Sequence, residues 1–407
     1  MAIWRLSGRE FNRRIDELKR ILVKRKLDAA YLTSLESIFY FTEFAYIPTE
    51  RPAAFIIPVD GEITYMGPII EQDHIQSRTK LVTSIKVYRD YPGLIHPMDL
   101  FAQWLSEMGL NKKALGFDLL SSEGIWGYKG APISQKLPNA RFESIKDSID
   151  EMRMFKSDEE IVLAKESAKW GNLAHTLLQE YTEPGLYDWE VSLKAVLEAS
   201  RAMKRTLGSD YYPIGPRGRE PVTAGFRGQV GPYAAFPHVM ACPNPIRVGD
   251  VVVTGAGADV GGVGSELERT MVVGEPTEKQ ARFFNIMVEA QDAALELYRP
   301  GIKLSEIDKA VIAVFKKHDV LQYERHHTGH GLGSGIGHYP GHHPPFVDQG
   351  EEFIIQPRMS FSCEPGLFIP RFGGFRHADH IIITEDGSER ITYYPRDIES
   401  LTIHCRK

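Results

Sequence analysis

Near residue 155 the chain changes grammar, and that change limits what it can fold into. Before it, helical and strand-like segments alternate. Arg9 to Lys26 carries Phe11, Ile15, Leu18, Ile21 and Leu22 at helical spacing. Ala29–Thr33, Ala53–Pro58, Ile63–Met66 and Ala114–Asp118 read as short strands, the middle two joined by a turn at Gly61, and Asp99–Met108 reads as a helix. Such alternation predicts an α/β layer with helices covering a sheet. After it, Ser157-Asp158-Glu159-Glu160 has the composition of a helix start, a serine cap followed by acids in the first turn. A long helix to about Tyr181 and a second from Trp189 to Arg205 follow. Strands and glycine-rich loops come next, interrupted by helices at 278–297 and 304–318, with last strands near 381–384 and 390–392. The chain of 407 residues is too long for one ordinary core, so two domains are predicted, 1–155 and 156–407.

Charge excludes some partners. The net charge of -6 leaves no electrostatic footprint for nucleic acid. Arg13-Arg14 and Lys24-Arg25-Lys26 fall within a helical pattern and read as a solvated face. Cys242, Cys363 and Cys405 form no CxxC pair, and their odd number without a leader-like segment predicts a reducing, cytoplasmic setting. No run of about 18 apolar residues predicts a membrane span.

Histidine is distributed unevenly: eight of 14 lie between His326 and His380. That density suggests a site, because imidazole changes charge near neutral pH; a solvated histidine-rich loop is the alternative. Four segments carry chemistry. In 249–270, two strands around a glycine-rich turn place Glu266 and Glu268 on one face; one acid is free to function while the other pairs with Arg269 or an upstream arginine. In 326–338, glycines let the backbone approach a ligand around His330. The GHGLGSGIG run has glycine spacing like a phosphate loop but lacks the strand-to-helix context. In 360–366, Glu364 ends an apolar strand before Pro365-Gly366 and is awkward to bury without a partner. In 373–380, Arg376 can grip a carboxylate bidentately, from the protein or from a substrate.

These segments, in this order, together with Arg153–Glu160, resemble the creatinase/prolidase/methionine-aminopeptidase superfamily over essentially the whole chain. The resemblance implies an α+β fold: a C-terminal pita-bread (creatinase/aminopeptidase) domain preceded by an α/β creatinase-type N-terminal domain. Metal-dependent members present two Asp, one His and two Glu to a pair of divalent ions. Those positions look like Gly255, Glu266, His330, Glu364 and Ala378 here, so two ligands are missing and no metal or other cofactor is expected. The metal-free creatinases are similar in Ser265–Thr270 and in Phe236-Pro237-His238, which implies Glu266, Glu364 and His238 as catalytic groups. Arg51 matches an arginine that reaches the partner subunit's site to hold a substrate carboxylate, with His330, His342 and Arg376 as further substrate-binding groups. His342 stands where creatinase has a second carboxylate-binding arginine, which argues against creatine.

Within this branch, Trp4–Ser7, Tyr46–Pro52 and the loop from His326 to His343 look most like the ectoine hydrolases. That likeness implies a homodimeric, metal-independent hydrolase opening the cyclic amidine of the small-molecule substrate ectoine to an N-acetylated diaminobutyrate, with hydroxyectoine left open. The rival expectations are a creatinase-like amidinohydrolase, a metal-dependent prolidase-like peptidase or lyase, and a pita-bread module that binds without catalysis.

Overall fold

A computed structural model describes residues 4–120, 128, 130–211, 220–333 and 341–404. His338, Gly335, Gly337 and Cys405 lie outside them. The described chain divides into two compact units, one formed by 6–153 and the other by 154–211 and 220–404 together with Trp4 and Arg5.

The first unit is a six-stranded sheet with helices on both faces. In chain order its elements are α1 (Gly8–Lys24), β1 (Ala29–Leu32), α2 (Leu35–Thr42), β2 (Ala54–Pro58), β3 (Thr64–Pro68), α3 (Gln72–Arg78), β4 (Ser84–Tyr88), α4 (Pro97–Glu107), β5 (Ala114–Phe117), α5 (Ile133–Lys136), β6 (Arg141–Ser144) and α6 (Lys146–Met154). The strand order is β4-β3-β2-β1-β5-β6, antiparallel at β1–β2 and β2–β3 and parallel elsewhere. Every residue of β1 is buried because the strand is covered on both sides. Ala30 and Leu32 join a core with Leu18, Leu22, Phe41 and Phe44, while Ala29 and Tyr31 join one with Phe101 and Leu105. The two-residue period of a strand sends alternate side chains to these separate cores.

One expectation fails here. Arg14 is no solvated residue but is fully buried. Its Nε donates to Glu10 Oε1 (2.8 Å), its Nη1 to Tyr40 O (3.0 Å), and its guanidinium lies 4.0 Å from the Tyr40 ring centroid. Helical spacing gave Arg14 the same register as the apolar stripe's flank, and only the α2 backbone carbonyl supplies the acceptor that lets the charge be buried. Arg25 likewise holds Glu143 and Ser144 O rather than facing water alone.

The second unit begins with α7 (Asp158–Tyr181). Ser157 accepts from the Glu160 N–H and Glu160 returns a bond to the Ser157 N–H, a complete capping box. Then come α8 (Asp188–Leu207), β7 (Val222–Gly225), β8 (Val251–Val253), β9 (Gly255–Val260), β10 (Val263–Gly264), β11 (Thr270–Val273), α9 (Glu278–Leu295), α10 (Leu304–Lys317), β12 (Gly329–Gly331), β13 (His343–Val347), β14 (Ser360–Cys363), β15 (Gly366–Ile369), β16 (Gly373–Arg376), β17 (Asp379–Ile383), β18 (Ser388–Arg390) and β19 (Thr402–Ile403). The sheets run β10-β9-β7, β19-β11-β8, β13-β12-β14-β17-β18 and β15-β16. Helix α7 lies close on β9: a methyl added to Gly171 would stand 3.0 Å from the Gly257 Cα. Behind the strands, Arg269 and Asp379 form a fully buried ion pair at 2.9 Å. Thus Arg269, a candidate partner for the acids of 266–268, is committed elsewhere. Among the described residues no helix is long and apolar enough to cross a membrane.

Candidate active site

Four backbone segments deliver acids, a histidine and an arginine to one buried place. Glu266 and Glu268 lie on the extended stretch between β10 and β11, held by single bridges from Leu267 to Ala256 and from Glu268 to Ala378. His330 is the central residue of β12, Glu364 follows the last residue of β14, and Arg376 ends β16. Oxygens of Glu266, Glu268 and Glu364 lie within 4.8 Å of one another, so the same-face expectation for 266 and 268 holds.

His330 stands between the two free glutamates. Its Nε2 is 3.1 Å from Glu364 Oε1 and 3.7 Å from Glu266 Oε2. Its Nδ1 faces the Gly331 carbonyl at 3.1 Å, which calls for a proton on Nδ1. A second proton on Nε2 then lets the ring serve the carboxylates as an imidazolium. Burial opposes that charge, but the bond to Glu364 and the charges of Glu266 and Glu364 outweigh it and lift His330 to about 9. Glu266 is pushed up to about 8, first by burial and then by the neighbouring Glu364. Burial also acts against ionised Glu364, yet the bond and charge of His330 and the charge of Arg376 hold it well below the usual carboxylate range. The site therefore contains one firmly ionised carboxylate and one that titrates near neutrality. Ser362 links the His330 backbone to Glu364: its Oγ accepts from the His330 main-chain N–H (3.0 Å) and donates to Glu364 Oε1 (3.4 Å). Glu266 Oε2 is sealed from solvent without a hydrogen bond, as expected of an atom waiting for a ligand. Exposed His342 lies over His330, ring centroids 3.4 Å apart.

Arg376 pairs with a protein carboxylate, one of the two kinds of partner expected of it. Its Nε and Nη2 meet Glu268 Oε2 (2.5 Å) and Oε1 (2.7 Å) in a fork, and Arg227 Nη2 reaches the same Oε1 at 2.9 Å. Glu268 is thus the acid that pairs, with an upstream arginine as one partner, and Glu266 the acid left free. Residues Arg227 and Ser362 were not visible as site residues in the sequence. The available signals are the Arg227-Gly228 pair, which marks a turn, and the expectation that an upstream arginine pairs with one of the two acids.

Two candidates remain, His238 and Arg51. His238 is exposed on the segment after a short helical turn at Gly231–Ala235, and it forms no hydrogen bond or ion pair among the described residues. Arg51 belongs to the first unit, where it holds Asp90 Oδ1 and Glu50 Oε1, each at 2.7 Å.

A pair of divalent ions does not fit these residues. A methyl on Gly255 would stand 3.5 Å from Glu268 Oε1, and Ala378 exchanges both backbone hydrogen bonds with Glu268, so neither position brings an oxygen ligand to the cluster by its side chain. Glu268 is spent on two guanidiniums, and Arg376 already places a buried positive charge beside Glu266 and Glu364. Two more divalent charges there would meet strong repulsion at low dielectric.

Comparison with known proteins agrees with this architecture. Residues 163–385 match the family model described as metallopeptidase family M24, and residues 14–155 match the creatinase/prolidase N-terminal domain. The chain is 28% identical over 389 residues to the Xaa-Pro dipeptidase of Pyrococcus furiosus, covering 95% of this chain and 99% of that one. It is 25% identical to the Xaa-Pro dipeptidase of Lactobacillus helveticus, covering 96% and 99%. Among solved structures, dipeptidase PepE of Mycobacterium ulcerans superposes with a TM-score of 0.80 at 22% identity, covering 98% and 99%. The prolidase of Pyrococcus horikoshii OT3 gives 0.74 at 24%, covering 95% and 99%. The fold is that of a creatinase-type N-terminal domain followed by a pita-bread domain.

Proposed function

Because the chain belongs to metallopeptidase family M24, a family of hydrolases, we propose that it is a hydrolase whose buried glutamates grip a delocalised organic cation, with the cyclic amidine ectoine as substrate. The observation that carries this reading is the pair Glu266 and Glu364, buried, facing His330, and without the acidic partners a metal pair requires. An amidinium carbon is already electrophilic, so water can add to it without a Lewis acid.

The proposed sequence is short. Ionised Glu364 pairs with one ring N–H, and the incoming cation favours the ionised form of Glu266, which releases its proton to solvent as the substrate binds. Glu266 then takes a proton from the attacking water, or attacks the amidine carbon itself, in which case water afterwards cleaves the covalent glutamyl adduct and regenerates the carboxylate. The C–N bond breaks, and a proton delivered by His238 leaves on the departing ring nitrogen, giving an N-acetylated diaminobutyrate. His238 is exposed, so this role requires it to swing towards the bound ring. Arg51 of a second subunit in a homodimer would hold the ring carboxylate, after giving up Asp90 or Glu50.

The relatives' name supplies the second reading, a metal-dependent dipeptidase. Glu266, His330 and His342 offer donor atoms within 4.8 Å of one another and would hold a single ion.

Proton NMR of ectoine mixed with chelator-dialysed enzyme tests the choice. Ring opening is the expected result. Intact ectoine, together with cleavage of an Xaa-Pro dipeptide once manganese or cobalt is added, would replace this reading with the second.

A further inference from the structure

With Arg376 locked onto Glu268, the site needs another cation if its substrate carries a carboxylate. Arg227 has the required properties. It is 52% exposed, yet one end is fixed: Nη2 donates to Glu268 Oε1 at 2.9 Å and to Gln229 Oε1 at 3.4 Å. No other hydrogen bond of Arg227 occurs among the described residues, which leaves Nε and Nη1 to solvent or a ligand. Glu268 is only one carboxylate away from Glu266 and Glu364.

Charge balance makes the same point. Glu268 already has both oxygens on the Arg376 fork, so it has no need of a second guanidinium. Arg227 is therefore the guanidinium of the two that can turn its remaining donors to an anion. Beside it, the Gln229 side-chain nitrogen is sealed from solvent and has no hydrogen-bond partner, an orphan donor that a bound acceptor would satisfy.

The backbone is bent to present this side chain. Arg227 has φ +50° and Gly228 φ +75°, a costly conformation for arginine that persists only where its surroundings enforce it. They do: the Gly228 N–H donates to Asp188 Oδ2 at 3.0 Å, and the Gln229 carbonyl accepts from the Val253 N–H at 3.0 Å. A methyl on Gly228 would collide with the Ala241 backbone.

We propose that Arg227, with the Gln229 amide, is a carboxylate-binding subsite of the same chain, joined through Glu268 to the glutamates that take the cationic end of a zwitterionic substrate. It rests on the reading of Glu266 and Glu364 as cation-gripping acids, and it makes the site selective for molecules bearing both charges.

Calorimetric binding to the full enzyme tests it with two ligands, ectoine and the same ring amidine lacking its carboxylate. Arg227→Gln is expected to weaken ectoine binding about 10- to 100-fold and to leave the carboxylate-free ring unchanged. Arg227→Lys should recover part of the loss, since it keeps the charge but not the fork. Equal losses for both ligands would reduce Arg227 to a support for Glu268, and no loss would remove it from the site; either overturns the proposal. If the wild-type protein binds neither amidine, the amidine reading fails, and the subsite is judged with alanylproline against its C-terminal amide on manganese-loaded enzyme. A wild-type preference for the free carboxylate that Arg227→Gln abolishes sustains the subsite; its absence overturns that too.

Discussion

His330 Nε2 lies 3.1 Å from Glu364 Oε1 and 3.7 Å from Glu266 Oε2, so a single imidazolium is shared by two buried carboxylates of which it can fully satisfy only one. Glu364 wins the proton-bearing nitrogen and stays ionised, and Glu266 is left with a raised proton affinity. That asymmetry divides the labour between two chemically identical side chains.

Glu266 should cost the empty enzyme stability in the pH range where it must work. Its folded value, about 8, is above the ordinary 4.5. The folded state therefore holds the extra proton, and stability falls as pH rises from 4.5 through 8. Glu266→Gln is expected to melt at a higher temperature than wild type at pH 8, by a margin of about 1–3 kcal/mol, and to melt alike near pH 4.5, while turnover disappears. Thermal denaturation at the two pH values checks this; a lower melting point at pH 8 would contradict the assignment.

The His330–Glu364 pair has a profile that falls on both sides. His330 is raised to about 9, so its stabilising charge is complete below its ordinary 6.5 and lost as pH rises towards 9. Glu364 is depressed, so its contribution is complete above 4.5 and lost as pH falls below it. Glu364→Gln should therefore destabilise most between about pH 4.5 and 6.5, with the difference shrinking on either side. Urea denaturation across pH 3 to 9 would reveal a flat difference if the pair were not formed.

Arg376 tests the fork. Removing it leaves Glu268 buried with only the half-exposed Arg227. Arg376→Ala is expected to destabilise by about 3–5 kcal/mol, and Arg376→Lys to rescue little, because a single ammonium cannot meet both oxygens. A loss under about 1 kcal/mol, typical of surface pairs, would mean that the fork does not hold the site together.

His238 is a kinetic question. As a proton shuttle, His238→Ala should lower kcat by roughly 10²–10⁴ without weakening substrate binding, a split that steady-state kinetics and calorimetry resolve together. Near wild-type turnover would exclude the shuttle, and its exposed position makes that outcome informative.

What the sequence by itself determined was local. Ser157 and Glu160 announce their helix because capping depends on residues three apart, and α9 and α10 start at Glu278 and Leu304 where the apolar period begins. Burial of β1 follows from its continuous apolar run, and the common face of Glu266 and Glu268 from the two-residue period of extended chain. What only tertiary structure decided was partnership. Arg14 has the sequence surroundings of a surface residue and is buried because Tyr40 O lies above it. Glu266 and Glu268 are two residues apart in a strand-like stretch, yet Glu266 meets His330, 64 positions on, while Glu268 meets Arg376 and Arg227, 108 and 41 positions away. Spacing along a chain sets which way a side chain points; the charge it finds there is set by segments that only folding brings near.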